Sequence, residues 1–296
     1  MKSVKLLHNH KAGEEEHSHD DLISLIESKG FNCEYSSVKT PGWHKINDAI
    51  DFLVIAGGDG TVRKVIEKLL NRRLIEKKFP VAILPLGTAN NLSKTLGAIM
   101  DTDEAVESWV KFEKRPFDVG KIYGLKKNHF FLEGFGFGVF PFLMEKMKSP
   151  EIKETTSTDE KISIALQELM KIVNSYDTSY CKVLIDGVDY SGDYLMVEVM
   201  NIRSIGPNLY LGPDVRVDDG EFDVVLVAEN DRSELAKYVH NKIAGLEIKP
   251  QLKVKKGQNI VLNCHGMDSH IDDKLISMKK NQEVKVEIQK SLLEFL

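Results

Sequence analysis

Positive charge is too scarce here for a dedicated nucleic-acid binder: 40 Lys and Arg stand against 45 Asp and Glu, a net charge of −5. With no basic arm and no zinc-finger spacing, no nucleic-acid partner is expected. Cysteine is scarce as well. Cys33, Cys181 and Cys264 are odd in number and far apart, which predicts free thiols in a reducing compartment. Long hydrophobic runs are missing. The most apolar stretch, residues 130–144, is broken by Glu133, Pro141 and several glycines, and nothing approaches the roughly 20 apolar residues of a membrane span. The first eight residues lack the apolar core of a signal peptide. These absences predict a soluble, cytoplasmic chain. What is present is 296 residues, 42% hydrophobic and 29% charged, enough for packed cores and the ordinary length of two domains.

Residues 1–118 alternate short apolar runs with amphipathic stretches. Strands are predicted at residues 4–7, 31–35, 51–56 and 81–84, and helices at 20–29, 61–71 and 103–112, the last capped by Asp101 or Thr102. Such alternation predicts an α/β domain with a mostly parallel sheet. Beyond residue 120 the texture changes. Ser157-x-x-Glu160 has the form of a capping box before a helix carrying Ile162, Leu166, Leu169 and Val173. Strands follow at 194–199, 222–228, 259–263 and 283–288, and Asp186-Gly187 suits a type I′ hairpin turn. A second, antiparallel β-sandwich domain is expected.

Gly57-Gly58-Asp59-Gly60-Thr61 sits between the apolar run 52–56 and a helical pattern. Glycines let backbone N–H groups approach a phosphate, and the helix start behind them favours an anion. Asp59 repels a bare phosphate, so its use there is metal bridging or proton acceptance. A second loop, Gly87-Thr88-Ala89-Asn90-Asn91, also ends a strand and opens a helix. Thr88 can donate to phosphate, and Asn90 can bind phosphate or cap the helix. A third loop, Asn9-His10-Lys11-Ala12-Gly13, follows the first strand. Ligands bind at the carboxyl ends of parallel strands, where all three loops lie.

Asn9-x-x-Ala12-Gly13, then the residue 57–61 turn, then Pro85-Leu86-Gly87-Thr88-x-Asn90, resembles the diacylglycerol kinase catalytic domain family, nearest to the bacterial lipid kinases related to diacylglycerol and sphingosine kinases. Asp118-Val119-Gly120 and the 213–224 segment extend the likeness into the second half. The resemblance implies an α/β nucleotide domain over 1–118, completed by 281–296, and a β-rich lipid-substrate domain over 119–280. It implies ATP and magnesium as cofactors and transfer of the γ-phosphate to a lipid alcohol, with peripheral contact at the inner membrane surface and compatibility with a homodimer. By the same resemblance Asn9, Lys11, Ala12, Gly13, Thr40, Gly57, Gly58, Asp59, Gly60, Thr61, Gly87, Thr88 and Asn90 bind the nucleotide. Asp219, with the carbonyls of Arg216 and Glu221, holds a structural magnesium through oxygen ligands; the bare alternative for that Asp-Asp-Gly segment is a β-turn.

Several positions depart from the family pattern. His10 replaces a proline, Asn91 an aspartate, Lys64 a glutamate and Glu133 an asparagine. The family's late Asp-Gly-Glu, whose glutamate acts as base, is Asp272-Asp273-Lys274. A lysine ammonium is no base at neutral pH, so Asp272 or Asp273 is left to take over, with Asp272 taken as the catalytic candidate beside Asp59. The same glycine turn is similar to that of NAD kinases, and a nucleotide- or lipid-binding protein with impaired catalysis is a third reading. Two histidine groups, His8, His10, His17 and His19, and His265 with Asp268, His270 and Asp272, match no common zinc spacing and read as solvated polar loops. The Phe-rich run 130–142 reads as a buried strand and turn or as a lipid-cleft wall.

Overall fold

The computed structural model describes residues 1–10, 18–71, 78–127, 129–149, 157–279 and 281–296. The chain divides into two compact units, residues 1–117 with 291–296, and residues 118–290.

In the first unit, β1 (Lys2–His8), α1 (His19–Ser28), β2 (Phe31–Ser37), β3 (Phe52–Gly57), α2 (Asp59–Leu70), β4 (Val81–Pro85), α3 (Asn91–Leu96) and α4 (Thr102–Ser108) follow in order. The strands pair in parallel in the order β4-β3-β1-β2. Every residue of β3 and β4 is buried, as a parallel sheet covered on both faces requires. Leu22 and Ile26 of α1 pack with Val4, Leu6, Phe52, Val54 and Trp109 in one core. Asp101 caps α4 by accepting from the Glu104 N–H at 2.9 Å. The last residues of the chain belong here too: Phe295 pairs in parallel with Val81, and the Leu296 N–H donates to the Val81 carbonyl.

The strand β5 (Arg115–Tyr123) leads into the second unit, followed by β6 (His129–Phe131), β7 (Gly134–Gly138), α5 (Val139–Lys146), α6 (Thr158–Ser175), β8 (Ser179–Ile185), β9 (Val188–Asp189), β10 (Gly192–Met200), β11 (Phe222–Ala228), α7 (Arg232–Ile243), β12 (Lys253–Gly257), β13 (Asn259–Cys264), β14 (Ser269–Ile271), β15 (Lys274–Ile276) and β16 (Val284–Phe295). Its strand pairs are antiparallel. The β8–β9 turn has Asp186 and Gly187 both at positive φ, the type I′ geometry expected of Asp-Gly. One core lies among strands, around Phe135, Phe137, Val197, Phe222 and Leu262. A second gathers α5, α6 and α7 against β10 and β11. Ser157 caps α6 by accepting from the Glu160 N–H.

Three expectations are corrected. The free-thiol reading fails for two of three cysteines: the β8–β13 register sets Cys181 directly opposite Cys264, Cα to Cα 4.1 Å, and they form a disulfide. Cys33 remains a free thiol, pushed up to about 11 chiefly by burial. The C-terminal histidine group is not a solvated loop either, because His270 and Asp272 are buried on and beside β14. The Phe-rich run forms β6, β7 and then α5, a helix rather than a turn.

Candidate functional site

The three loops singled out in sequence follow β1, β3 and β4, neighbouring strands of one parallel sheet, and so emerge on one rim. Lys11, Ala12 and Gly13 lie outside the described residues. Asn9 is anchored at both ends: its N–H donates to the Ala56 carbonyl, and its Nδ2 donates to Thr61 Oγ1 at 3.0 Å. Asn9 is thereby tied to the glycine turn.

Close backbone contact joins the glycine turn and the second loop. A Cβ on Gly87 would lie 2.3 Å from Gly58 Cα, and one on Gly58 would lie 2.9 Å from Gly87 Cα. Neither position admits a side chain. A Cβ on Gly57 would strike Thr61 Oγ1 at 2.7 Å. The Thr61 and Val62 N–H groups turn back to the Gly58 carbonyl and open α2.

Asp59 has a structural duty as well. Its carboxylate accepts from the Asn91 N–H at 2.9 Å and from the Leu92 N–H at 3.2 Å, so it caps α3 from a neighbouring loop. Asn90 turns inward in the left-handed region at φ 51°. Its Oδ1 accepts from the Gly87 N–H, and its Nδ2 donates to the Pro85 and Gly87 carbonyls. That side chain shapes the loop. Thr88 is exposed, and Thr40 is an exposed turn residue whose hydroxyl donates to the Ser37 carbonyl. Lys64 donates to the Val38 carbonyl at 2.7 Å.

In the second unit, Asp272 sits at φ 48° in the β14–β15 turn. Its carboxylate faces inward and accepts from the N–H groups of Leu132, Glu133 and Gly134 at 2.8–3.2 Å. Beside it lies a buried pair that sequence reasoning missed. His270 Nε2 is 3.0 Å from both oxygens of Glu198, and His270 Nδ1 is 2.8 Å from the Asp272 carbonyl. Glycine makes the room, since a Cβ on Gly136 would lie 1.9 Å from Glu198 Oε2. Burial, the largest influence, pushes the His270 pKa down, but the charge and hydrogen bond of Glu198, with Asp272, outweigh it and leave the pKa raised. The hint in sequence was the Gly-x-Gly of residues 134–136 facing a strand with an acidic residue in an apolar run. Lys274 and Asp273 are exposed at the tip of the same hairpin.

The segment expected to hold magnesium is closed by protein groups. Asp219 Oδ1 accepts from the Glu221 N–H at 3.2 Å, and Oδ2 lies 3.3 Å from Lys256 Nζ. The Arg216 side chain turns to Asp218. Both carboxylate oxygens have protein donors, and the ammonium beside Oδ2 would oppose a divalent ion there by charge. Among the described residues, no group of three or more His, Cys, Asp and Glu side chains is arranged to hold a metal.

Comparison with known proteins agrees with this geometry. Residues 3–122 match the model of the diacylglycerol kinase catalytic domain, and residues 150–292 match that of the YegS C-terminal NAD kinase beta sandwich-like domain. A diacylglycerol kinase of Bacillus subtilis is 22% identical over 290 residues, covering 90% of each chain. A crystal structure of a Bacillus anthracis diacylglycerol kinase superposes with a TM-score of 0.72 at 20% identity, over 99% of this chain and 96% of that one. An Archaeoglobus fulgidus NAD kinase in complex with ATP superposes at 0.55 with 13% identity, over 99% and 92%; it shares the fold. Matched in both halves, the chain carries a diacylglycerol kinase catalytic domain over residues 3–122 and a YegS-type sandwich-like domain over residues 150–292, and is a kinase with an alcohol group as acceptor.

Proposed function

We propose that the chain is an ATP- and magnesium-dependent lipid kinase that phosphorylates the hydroxyl of diacylglycerol or a related lipid alcohol. The observation that carries this reading is the mutual contact of Gly58 and Gly87, two strand-end loops packed so tightly that neither position has room for a side chain. Such a surface suits phosphate, which is recognised by N–H groups rather than bulky side chains. Asn9, Gly57, Gly58, Gly60, Thr61 and Gly87 form the phosphate wall. Thr88 offers an exposed hydroxyl, and Lys11, Ala12, Gly13 and Thr40 complete the nucleotide set. When bound, ATP supplies the phosphoryl group, and magnesium offsets its developing charge.

Asp59 is the carboxylate assigned to that charge region. Its hold on α3 fixes it there. Asp272 is a positioning residue rather than the base, because its carboxylate is turned into three backbone amides. Lys274, exposed at the hairpin tip, brings no carboxylate to act as that base. Phosphoryl transfer rests mainly on positioning and electrostatics, so loss of the family's base slows such an enzyme without changing its reaction class. The acceptor is met by peripheral contact at the inner membrane surface, since no helix among the described residues is long and apolar enough to span.

The test is γ-labelled ATP with magnesium and a mixed neutral-lipid extract, with NAD in a parallel tube and Asp59→Asn as control. Asparagine keeps a cap acceptor for α3 and removes the charge. Label in the organic phase, lost in the variant, is the expected result. Label on NAD would transfer the chain to the NAD kinase reading. ATP binding without transfer to either would leave a nucleotide-binding protein, the reading that Lys274 and Asn91 favour.

A further inference from the structure

The segment 216–221 presents two aspartates and a positive-φ glycine beside lysines from two other elements. β11 and β12 pair so that Asp223 stands directly opposite Lys256. That register delivers the Lys256 ammonium to the edge of the loop, 3.1 Å from Asp223 Oδ2 and 3.3 Å from Asp219 Oδ2. A second ammonium lies close to the same turn. Gly220, at φ 77°, is covered by the Lys290 side chain, whose Nζ would be 2.6 Å from a Cβ at that position. The loop backbone is pinned independently, because the Gly220 N–H donates to Asp118 Oδ2 at 2.7 Å and the Asp118 N–H donates to the Val217 carbonyl at 2.7 Å.

A divalent ion at Asp219 would set two positive charges against the Lys256 ammonium already beside Oδ2 and compete with it for the carboxylate. Here both oxygens have donors, and two lysine ammonium groups lie close to the turn. We propose that Lys256, with Lys290 beside Gly220, closes this loop in place of a divalent cation, so that the second unit is built without a structural metal. Any magnesium requirement of the protein then belongs to the nucleotide alone. Strand register explains why a lysine can do this: Lys256 is held by the ladder, so its ammonium is placed before the ion pair forms.

Hydrogen exchange of the peptide spanning 216–222 in the full chain tests the idea, with chelator and with magnesium or calcium added. Neither phosphoryl transfer nor the identity of the acceptor enters this readout. Wild-type protection at Gly220 and Glu221 is expected to be the same in all conditions. In Lys256→Met that protection is expected to fall in chelator, while Lys256→Arg retains it. Loss of wild-type protection in chelator would overturn the proposal, as would full protection of Lys256→Met without a metal. The wild-type arm decides even if the methionine variant does not fold.

Discussion

His270 and Glu198 meet as a buried pair inside the second unit. His270 Nδ1 faces a carbonyl and must carry hydrogen, while Nε2 faces both oxygens of a carboxylate. The raised histidine pKa means the folded chain holds that proton more tightly than the unfolded one, whose histidine titrates near 6.5. Its contribution to stability is complete below about pH 6.5 and is lost as pH rises through the folded value. Thermal unfolding from mildly acidic to alkaline pH will show this decline, and Glu198→Gln will remove it while costing about 3 kcal/mol. Gly87 makes a different demand. In Gly87→Ala the added carbon must push the Gly58 backbone away, at about 1–3 kcal/mol, and nucleotide affinity measured by titration should fall with it.

At the scale of elements, caps carry much of the local design. Asp101→Ala should cost about 1 kcal/mol, visible in denaturant unfolding followed by the fluorescence of Trp109, just beyond α4. That cap, the Ser157 cap, the parallel strands and all three strand-end loops were legible in the sequence because each has a local signature. The helix α7 was not. It buries only Leu235, Tyr238 and Val239, a stripe too thin to stand out. The helix α5 was hidden for the opposite reason. Its first five residues are all apolar, and a short apolar run does not separate helix from strand; Pro141 fits because it falls in the first turn. The inward carboxylate of Asp272 was equally invisible, since its three partners are backbone amides about 140 residues earlier in the chain.

Across the whole molecule, what links distant residues governs stability. The Cys181–Cys264 disulfide closes a separation of 83 residues, worth about 4–5 kcal/mol on a chain-entropy account. Reduction should therefore lower hydrogen-exchange protection in β8 and β13, with the Cys181→Ser variant insensitive to reductant. No spacing rule foretells that pairing, which strand register alone creates. The same long reach marks the first unit, whose sheet takes Phe295 alongside Val81. A ribosome makes residues 1–117 early and must then extend the polypeptide through Lys290 before the segment that borders β4 exists. During synthesis the edge of β4 lacks this neighbour, an exposed strand edge of the kind that invites wrong pairing, until residues 291–296 are made and Phe295 reaches Val81.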